Sequence, residues 1–414
     1  MYSLYNSKSF NRYQPWLMWL LGTLAFFVQY MIRVSPAPLV SYLIDDFQVG
    51  PSEIGAISAL CLYSYVAMQI PAGILIDKYG IRLTLLVSCC LCVFTTLLFA
   101  NTGKIAIAYW ARVFFGLNSA FAFIATLKIA KISFKAKHFN IAVGVTEALG
   151  MLGAALGISL IARMVFYYPW PKVIEMGAIL LAGVSVLIAV FVKLPKSTEF
   201  NALAASISFK QQISLVVKNK INWKISLFGG FVFVPTSVFA ELWGGYFLNK
   251  VHQIPLIEAN DMLGIIFIAW GLGSFCMGFA ANRFGVKVVL LSSAVLGLVF
   301  LPMVCYLSNL PNSLIYILLF LHGFSNAGMA LCYTIVGNIN PMHTVGIALG
   351  FSNSLSILVG AVCQQLMGLI IVRLNTYYTE IIALKLAMLL VVIFSIIAVL
   401  IILKADTGKN NILA

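Results

Sequence analysis

Charge is what this sequence has least of. Only 9% of its 414 residues are Asp, Glu, Lys or Arg, where a soluble domain carries about a quarter. Acids are scarcer than bases, 12 against 26. The stretches Ile54–Ile76 and Val288–Val372 contain no charged residue at all. A bilayer span needs only about 20 apolar residues, so a soluble fold is excluded. The ~10-residue alternating segments of a membrane β-barrel are missing too. There is no Gly-x-x-x-x-Gly-Lys-[Ser/Thr] loop, so ATP is not used directly. Cys89, Cys90 and Cys92 cluster without a His or carboxylate at ligand spacing, so no metal is expected. All eight Cys fall in apolar runs and read as small buried side chains rather than disulfides. No loop gathers Ser, His and Asp or paired carboxylates, so neither an enzyme nor a cofactor is expected.

What is present is apolar sequence cut into spans. Turn-like clusters such as "SNLPNS" and "GNINPMH" break the longest run. Twelve helices are predicted at 16–43, 54–76, 82–101, 107–132, 140–166, 173–193, 224–250, 260–281, 287–308, 313–338, 344–372 and 380–404. The fold class is an all-α polytopic membrane protein. The organisation is a six-helix bundle at 1–193, a linker at 194–223 and a second six-helix bundle at 224–414. The first apolar run, after Lys8 and Arg12, is too long for a signal-peptide core and is read as a retained span. Alternating the spans puts 17 basic residues in loops on the side of the termini and 6 on the other. That bias orients both termini to the cytoplasm. It accounts for the net charge of +14 without nucleic acid, and makes anionic membrane lipid the expected macroscopic partner. The segment Ser206–Lys220 has the pattern of an interfacial helix or of a solvated linker.

The two halves echo each other. "GILIDKYGIRL" (Gly73–Leu83) after helix 2 returns as "GFAANRFGVKV" (Gly278–Val288) after helix 8. Gly73 matches Gly278, Asp77 matches Asn282, Lys78 matches Arg283, Gly80 matches Gly285 and Arg82 matches Lys287. Helix 4 ("FGLNSAFA", with Asn118) echoes helix 10 ("HGFSNAGM"), and Glu147 of helix 5 falls opposite Asn353 of helix 11. Parallel halves place a substrate site between them near the midplane. The loop Gly-x-x-x-Asp-Lys-x-Gly-x-Arg resembles the signature of the major facilitator superfamily, with Leu83 in place of a second basic residue. Arg112-x-x-x-Gly116 is similar to that superfamily's helix-4 motif, which implies a link to proton coupling. "QIPAGILIDKYG", "TEALGMLGAALG" and "AELWGGYFL" resemble the phagosomal (Pht) nutrient transporters of intracellular bacteria. That resemblance implies import of an amino acid or nucleoside across a bacterial inner membrane.

A charge at mid-bilayer costs about 2.5–3.5 kcal/mol on insertion scales, and four charged residues within the spans stand out: Arg33, Arg112, Glu147 and Glu241. Arg33 precedes Pro36 and Pro38, which kink helix 1, and a guanidinium there can grip a carboxylate. Gln29 and Tyr30 stand one turn earlier and are expected to line the same cavity, with Asn118 as a further substrate contact. Glu241 sits at a comparable depth in helix 7. A carboxylate kept from water gives up its charge more readily, so Glu241 is a candidate proton carrier, with a structural ion pair as the alternative. Trp243 beside it reads as an interfacial anchor. Glu147 is a candidate for proton coupling or for an amino group, or a partner in a gate. It lies beside Gly150, Gly153 and Gly157, whose spacing makes a face for close helix packing. Arg112 is a candidate for coupling, with reach to the headgroups as the alternative. His322 reads as a core residue. Gly73, Asp77, Lys78, Gly80, Arg82, Asn282 and Arg283 form a conformational latch, in which Asp77 would cap the start of helix 11 near His343.

The expected function is therefore a monomeric secondary transporter importing a small polar nutrient by proton symport. The substrate is an amino acid or nucleoside; the alternative is an organic anion or phosphate ester. A drug exporter is disfavoured because helix 5 has no proline between Phe139 and Tyr168. A nutrient sensor on a transporter fold is the alternative outside transport.

Overall fold

The computed structural model describes residues 13–134, 136–192, 209–340 and 344–404. Several sequence expectations lie outside these residues: Lys8, Arg12, Lys135, Lys193, Lys196, His343, Lys409 and the linker up to residue 208. So do the side chains of Asp77, Lys78, Lys131 and Lys137.

Twelve helices are long and apolar enough to cross a membrane, and no strand occurs among the described residues. Helix 1 is Gln14–Phe47. Helices 2 to 6 are Pro51–Tyr79, Ile81–Ala100, Ile105–Ser133, Ala136–Tyr167 and Trp170–Phe191. Helix 7 is Lys220–His252, and helices 8 and 9 are Leu256–Phe284 and Val286–Tyr306. Helix 10 is Asn312–Ile339. Helix 11 is Val345–Asn375, and helix 12 is Glu380–Leu403. Each predicted span is present, most of them a few residues longer than the apolar pattern suggests, because polar end residues stay helical beyond the apolar core.

Helices 1–6 pack as one bundle and helices 7–12 as another. The duplication is visible in backbone detail. Gly80 and Gly285, the repeat partners, have φ of +88° and +87°, a region that glycine enters without the Cβ clash. Each therefore turns the chain sharply between two antiparallel spans. A short helix, Phe209–Lys218, precedes helix 7. It is tied there by Asn222 Nδ2 donating to the Val216 carbonyl at 3.0 Å and Trp223 Nε1 donating to that of Val217 at 2.8 Å.

The successive spans bring residues 13 and 404 to one end of the molecule, here the near end. The halves meet mainly through helix 2 on helix 11 and helix 5 on helix 8, and they meet toward the far end. A Cβ at Gly368 would lie 2.5 Å from the Pro51 carbonyl oxygen, and one at Gly55 would lie 3.0 Å from that of Gln364. Only glycine permits helices 2 and 11 to approach so closely. Toward the near end of the same two helices, a Cβ at Gly73 or Gly350 would meet nothing within 4 Å. Arg163 at the far end of helix 5 and Asp261 at the start of helix 8 bridge the halves through two parallel N–H···O contacts. The halves are thus closely apposed at the far end, and farther along the same two helices Ser354 Oγ donates to Gln69 Oε1 at 3.1 Å.

Candidate functional site

The predicted kink in helix 1 is a break. Pro36 and Pro38 offer no N–H, and the helix divides into Gln14–Arg33 and Pro36–Phe47. The amide of Ala37 turns to the Val34 carbonyl at 3.0 Å, so the Arg33 carbonyl loses its expected i+4 donor. Arg112 of helix 4 fills the gap. Its Nη2 donates to the Arg33 carbonyl at 2.7 Å and its Nη1 to that of Ile32 at 3.3 Å. Arg112 is 2% exposed, so it does not reach the headgroups; freed backbone acceptors hold it inside.

Helix 7 is interrupted at a matching depth. After Pro235 the backbone widens into a π-helix, Thr236–Trp243, a geometry that concentrates at functional sites. Gly244 ends it, its N–H reaching the Phe239 carbonyl five residues back. A Cβ there would sit 2.5 Å from that oxygen. Gln364 of helix 11 braces the wide turn: its Nε2 donates to the Ser237 carbonyl at 2.8 Å and to Ser237 Oγ at 3.0 Å. Trp243 is fully buried, and its Nε1 donates to the Gln364 carbonyl at 3.2 Å. It is therefore part of this brace and not an interfacial anchor. The apolar flanks of "FAELWGG" hid this, because a tryptophan near glycines gives the same pattern at a membrane surface.

The two interrupted helices present opposite charges to each other. Arg33 Nη2 lies 3.2 Å from Glu241 Oε1, with side chains 8% and 3% exposed. Tyr30 OH donates to the same oxygen at 3.2 Å, and Ser237 Oγ donates to Oε2 at 3.3 Å. The guanidinium carbon of Arg33 stands 3.6 Å from the Tyr30 ring centroid and 5.7 Å from that of Tyr65. Its Nε has no hydrogen-bond partner among the described residues. Arg33 is thus stacked on an aromatic face and joined to the other half by one contact.

Glu147 is half-buried, within electrostatic reach of Arg33, Tyr30, Tyr65 and Tyr333. No hydrogen bond or ion pair joins it to the described residues. Its repeat counterpart Asn353 accepts from Tyr333 OH at 2.9 Å. The glycine face beside Glu147 packs on helix 1 as expected: Cβ atoms at Gly153 and Gly157 would lie 2.5 and 2.7 Å from the Phe27 and Met31 carbonyl oxygens. Gln29 is buried, but its Nε2 is directed at Cys89 Sγ, 3.5 Å away in helix 3. Asn118 Nδ2 donates to the Phe114 carbonyl at 2.7 Å, on the side of helix 4 where Phe114 is exposed. No contact brings Gln29 or Asn118 to Arg33. His322 is fully buried, its Nε2 3.0 Å from Asn326 Nδ2, and joins no charge of the site.

Of the latch residues, the side chains of Asp77 and Lys78 lie outside those described. Arg82 Nη2 donates to the Ala189 carbonyl of helix 6, at 2.5 Å and within its own half. Asn282 and Arg283 are exposed. A Cβ at Gly73 or Gly350 would meet nothing within 4 Å, and among the described residues no contact of Arg82 crosses the halves. Sequence reasoning missed Ser237, Tyr65, Gln364 and the Arg163–Asp261 bridge. Ser237 stands four residues before Glu241, one helical turn, which was a readable signal; Gln364 is a polar residue in a charge-free run, which was another.

The model for the Major Facilitator Superfamily matches residues 22–252. An uncharacterized transporter, YybO, of Bacillus subtilis (strain 168) is 27% identical over 34% of this chain and 33% of its own length. A nitrite extrusion protein of the same organism is 25% identical over 50% of this chain and 51% of its own. The chain thus spans about a third and about half of the first curated relatives it matches. A hexuronate transporter of Bacillus subtilis (strain 168) is 23% identical over 86% of this chain and 87% of its own length. Among solved structures, a bacterial homolog of the human lysosomal transporter Spinster, in an inward-facing and unoccupied conformation, superposes with TM-score 0.76. It is 14% identical and covers 95% of this chain and 97% of that one. A D-xylose–proton symporter superposes with TM-score 0.73 at 14% identity, over 96% and 99%.

Proposed function

The chain belongs to the Major Facilitator Superfamily, and from that premise we propose that it moves a small carboxylate-bearing solute together with protons by alternating access. The observation that carries this reading is the Arg33–Glu241 pair. It joins the two halves at the level where both helix 1 and helix 7 are interrupted. A solute carboxylate would take the place of the Glu241 carboxylate on Arg33, using the bidentate geometry that guanidinium favours. A proton on Glu241 would release Arg33 for that exchange. One proton and one anion then enter the site together, which is symport.

The way the two interior arginines are held supports an anion. Arg33 has one bonded carboxylate, and Arg112 is held by carbonyl groups rather than by an acid. The names of the relatives, for hexuronate and nitrite, agree with an anionic cargo. A second reading keeps the amino acid: Glu147, within electrostatic reach of Arg33 and without a hydrogen bond to the described residues, would take the amino group of a zwitterion. The phagosomal resemblance, carried by apolar stretches, favours that one. In either case the near end is the cytoplasmic one, by the bias of basic residues, and the membrane is the inner membrane of a bacterium.

The test is a thermal-shift screen of the purified protein with galacturonate, sulfoacetate, nitrite, nucleosides and the common amino acids, followed by counterflow in vesicles. Stabilisation by carboxylates that is lost in Arg33→Ala supports the proposal. Stabilisation by nucleosides alone, or carboxylate binding unchanged in Arg33→Ala, overturns it.

A further inference from the structure

Gln364 uses only half of its amide. It lies in the charge-free part of helix 11 and is fully buried. Its Oε1 has no hydrogen-bond partner among the described residues, and a buried acceptor left unpaired costs free energy. The donor half is engaged twice: Nε2 donates to the Ser237 carbonyl at 2.8 Å and to Ser237 Oγ at 3.0 Å. A carbonyl can only accept, which fixes the end of the amide that faces helix 7. The main chain of the same residue holds the other end of the π-turn, because the Gln364 carbonyl accepts from Trp243 Nε1 at 3.2 Å. Ser237 and Trp243 are the second and the last residues of the Thr236–Trp243 segment. One residue of helix 11 therefore clips the wide turn at both ends.

Glu241 stands between those ends. A turn closed by i→i+5 bonds holds one residue more than an i→i+4 turn and is much the rarer of the two, so its persistence here calls for an outside contact. At 3.6 residues per α-turn, return of this segment to α geometry would rotate Glu241 by up to roughly 100° relative to the start of helix 7. That rotation takes its carboxylate off Arg33, which now lies 3.2 Å away. Ser237 carries the contact from helix 11 on to the charge: its Oγ accepts from Gln364 and donates to Glu241 Oε2 at 3.3 Å. Gly360, one turn before Gln364 on helix 11, leaves the space that Ser237 fills. A Cβ at Gly360 would lie 2.6 Å from Ser237 Oγ and 2.9 Å from Ser237 Cβ.

We propose that Gln364 is a positioning residue for Glu241. It selects the π-turn that aims the carboxylate at Arg33, and so sets how firmly Arg33 is withheld from a solute. It acts through Ser237 and the backbone of helix 7. This accounts for a buried glutamine with an unpaired oxygen where an apolar residue would pack at lower cost. The structural claim stands without the proposed function; its consequence for binding rests on that reading.

The first arm of the test is the structure of the full chain carrying Gln364→Met, which keeps the side-chain length and removes the donor. The expected result is an α-helical 236–243 segment with Glu241 out of hydrogen-bond reach of Arg33. Gly360→Ala keeps Gln364 but drives Ser237 away from it, and should separate Glu241 from Arg33 in the same way. A retained π-turn with the native Arg33–Glu241 contact in these variants overturns the proposal. The second arm is calorimetric titration with galacturonate. Gln364→Met should bind it roughly 2- to 10-fold more tightly than the native chain, the worth of one neutral hydrogen bond. In a Glu241→Gln background it should change nothing further, since coupled residues are not additive. Weaker binding in both backgrounds would mark a general packing defect and overturn the positioning role. If Glu241→Gln alone leaves affinity unchanged while the variant structures show Glu241 released, the competition between solute and Glu241 fails and the positioning role stands.

Discussion

Replacing Glu241 by Gln removes a charge from the site while leaving its shape. In the native protein Oε1 accepts from Arg33 Nη2 and Tyr30 OH, both at 3.2 Å, and Oε2 accepts from Ser237 Oγ at 3.3 Å. An amide keeps one oxygen for Arg33 and Tyr30. Its NH2 can donate to Ser237 Oγ, which already accepts from Gln364. The geometry survives, and what changes is how firmly Arg33 is held. A hydrogen bond to a charged partner contributes about 1.5–3 kcal/mol and a neutral one about 0.5–1.5. The variant should release Arg33 more easily by roughly 1–2 kcal/mol, a factor of about 5 to 30. If a solute carboxylate competes with Glu241, that factor appears as tighter binding. The pH dependence has a definite sign. Acid protonates native Glu241 and frees Arg33, so native affinity rises as pH falls; in the variant it should be flat. Free carboxylates stay ionised down to about pH 4, so the solute does not confound a titration between pH 5.5 and 8. The assay is calorimetric titration of both proteins with the carboxylate that the stability screen selects. Weaker binding in Glu241→Gln with the native pH slope retained would refute the competition.

Further outcomes follow from other contacts. Arg112→Lys keeps the charge but cannot bridge the Ile32 and Arg33 carbonyls, so the break in helix 1 loosens; carboxylate affinity should drop about tenfold for the lost charged hydrogen bond, read by the same titration. Arg163→Gln cuts the far-end bridge, whose partners are 49% and 23% exposed. A partly exposed pair contributes about 0.2–1 kcal/mol, so spin-label distances across the far end should show up to about a fivefold gain in the far-end-open population. Gly157→Leu places atoms against the Met31 backbone and should destabilise by about 1–3 kcal/mol, seen as a lower melting temperature; an unchanged value would mean helices 1 and 5 are not packed as described.

Much of the architecture was legible because a bilayer imposes a simple rule: long uncharged runs become helices, and rare charges mark where to look. Arg33 and Glu241 stood out for that reason, and their comparable depths in repeat-related helices agree with the contact between them, which the sequence did not specify. Pro36 and Pro38 signalled the break in helix 1. The π-helix did not announce itself, since Pro235 alone does not distinguish a kink from a widened turn. For Arg112 the sequence left two surroundings open, since its position in the span equally fits a side chain reaching for headgroups; the carbonyls freed in a neighbouring helix explain why it stays inside. Gln29 was chosen for standing one turn before Arg33 and Asn118 from the helix 4 stretch that echoes helix 10, and neither signal gives orientation around the helix. The glycine faces were readable from spacing, whereas the partner of each face depended on tertiary packing.

The central claim is that an imposed proton gradient drives a carboxylate through this protein. The direct measurement is accumulation of the stabilising carboxylate in proteoliposomes, with the outside acidified and with the gradient collapsed by a protonophore. The account predicts accumulation above the outside concentration that disappears with the gradient, and that Glu241→Gln loses while still exchanging bound solute. Accumulation indifferent to the gradient, or driven equally well in Glu241→Gln, would contradict it.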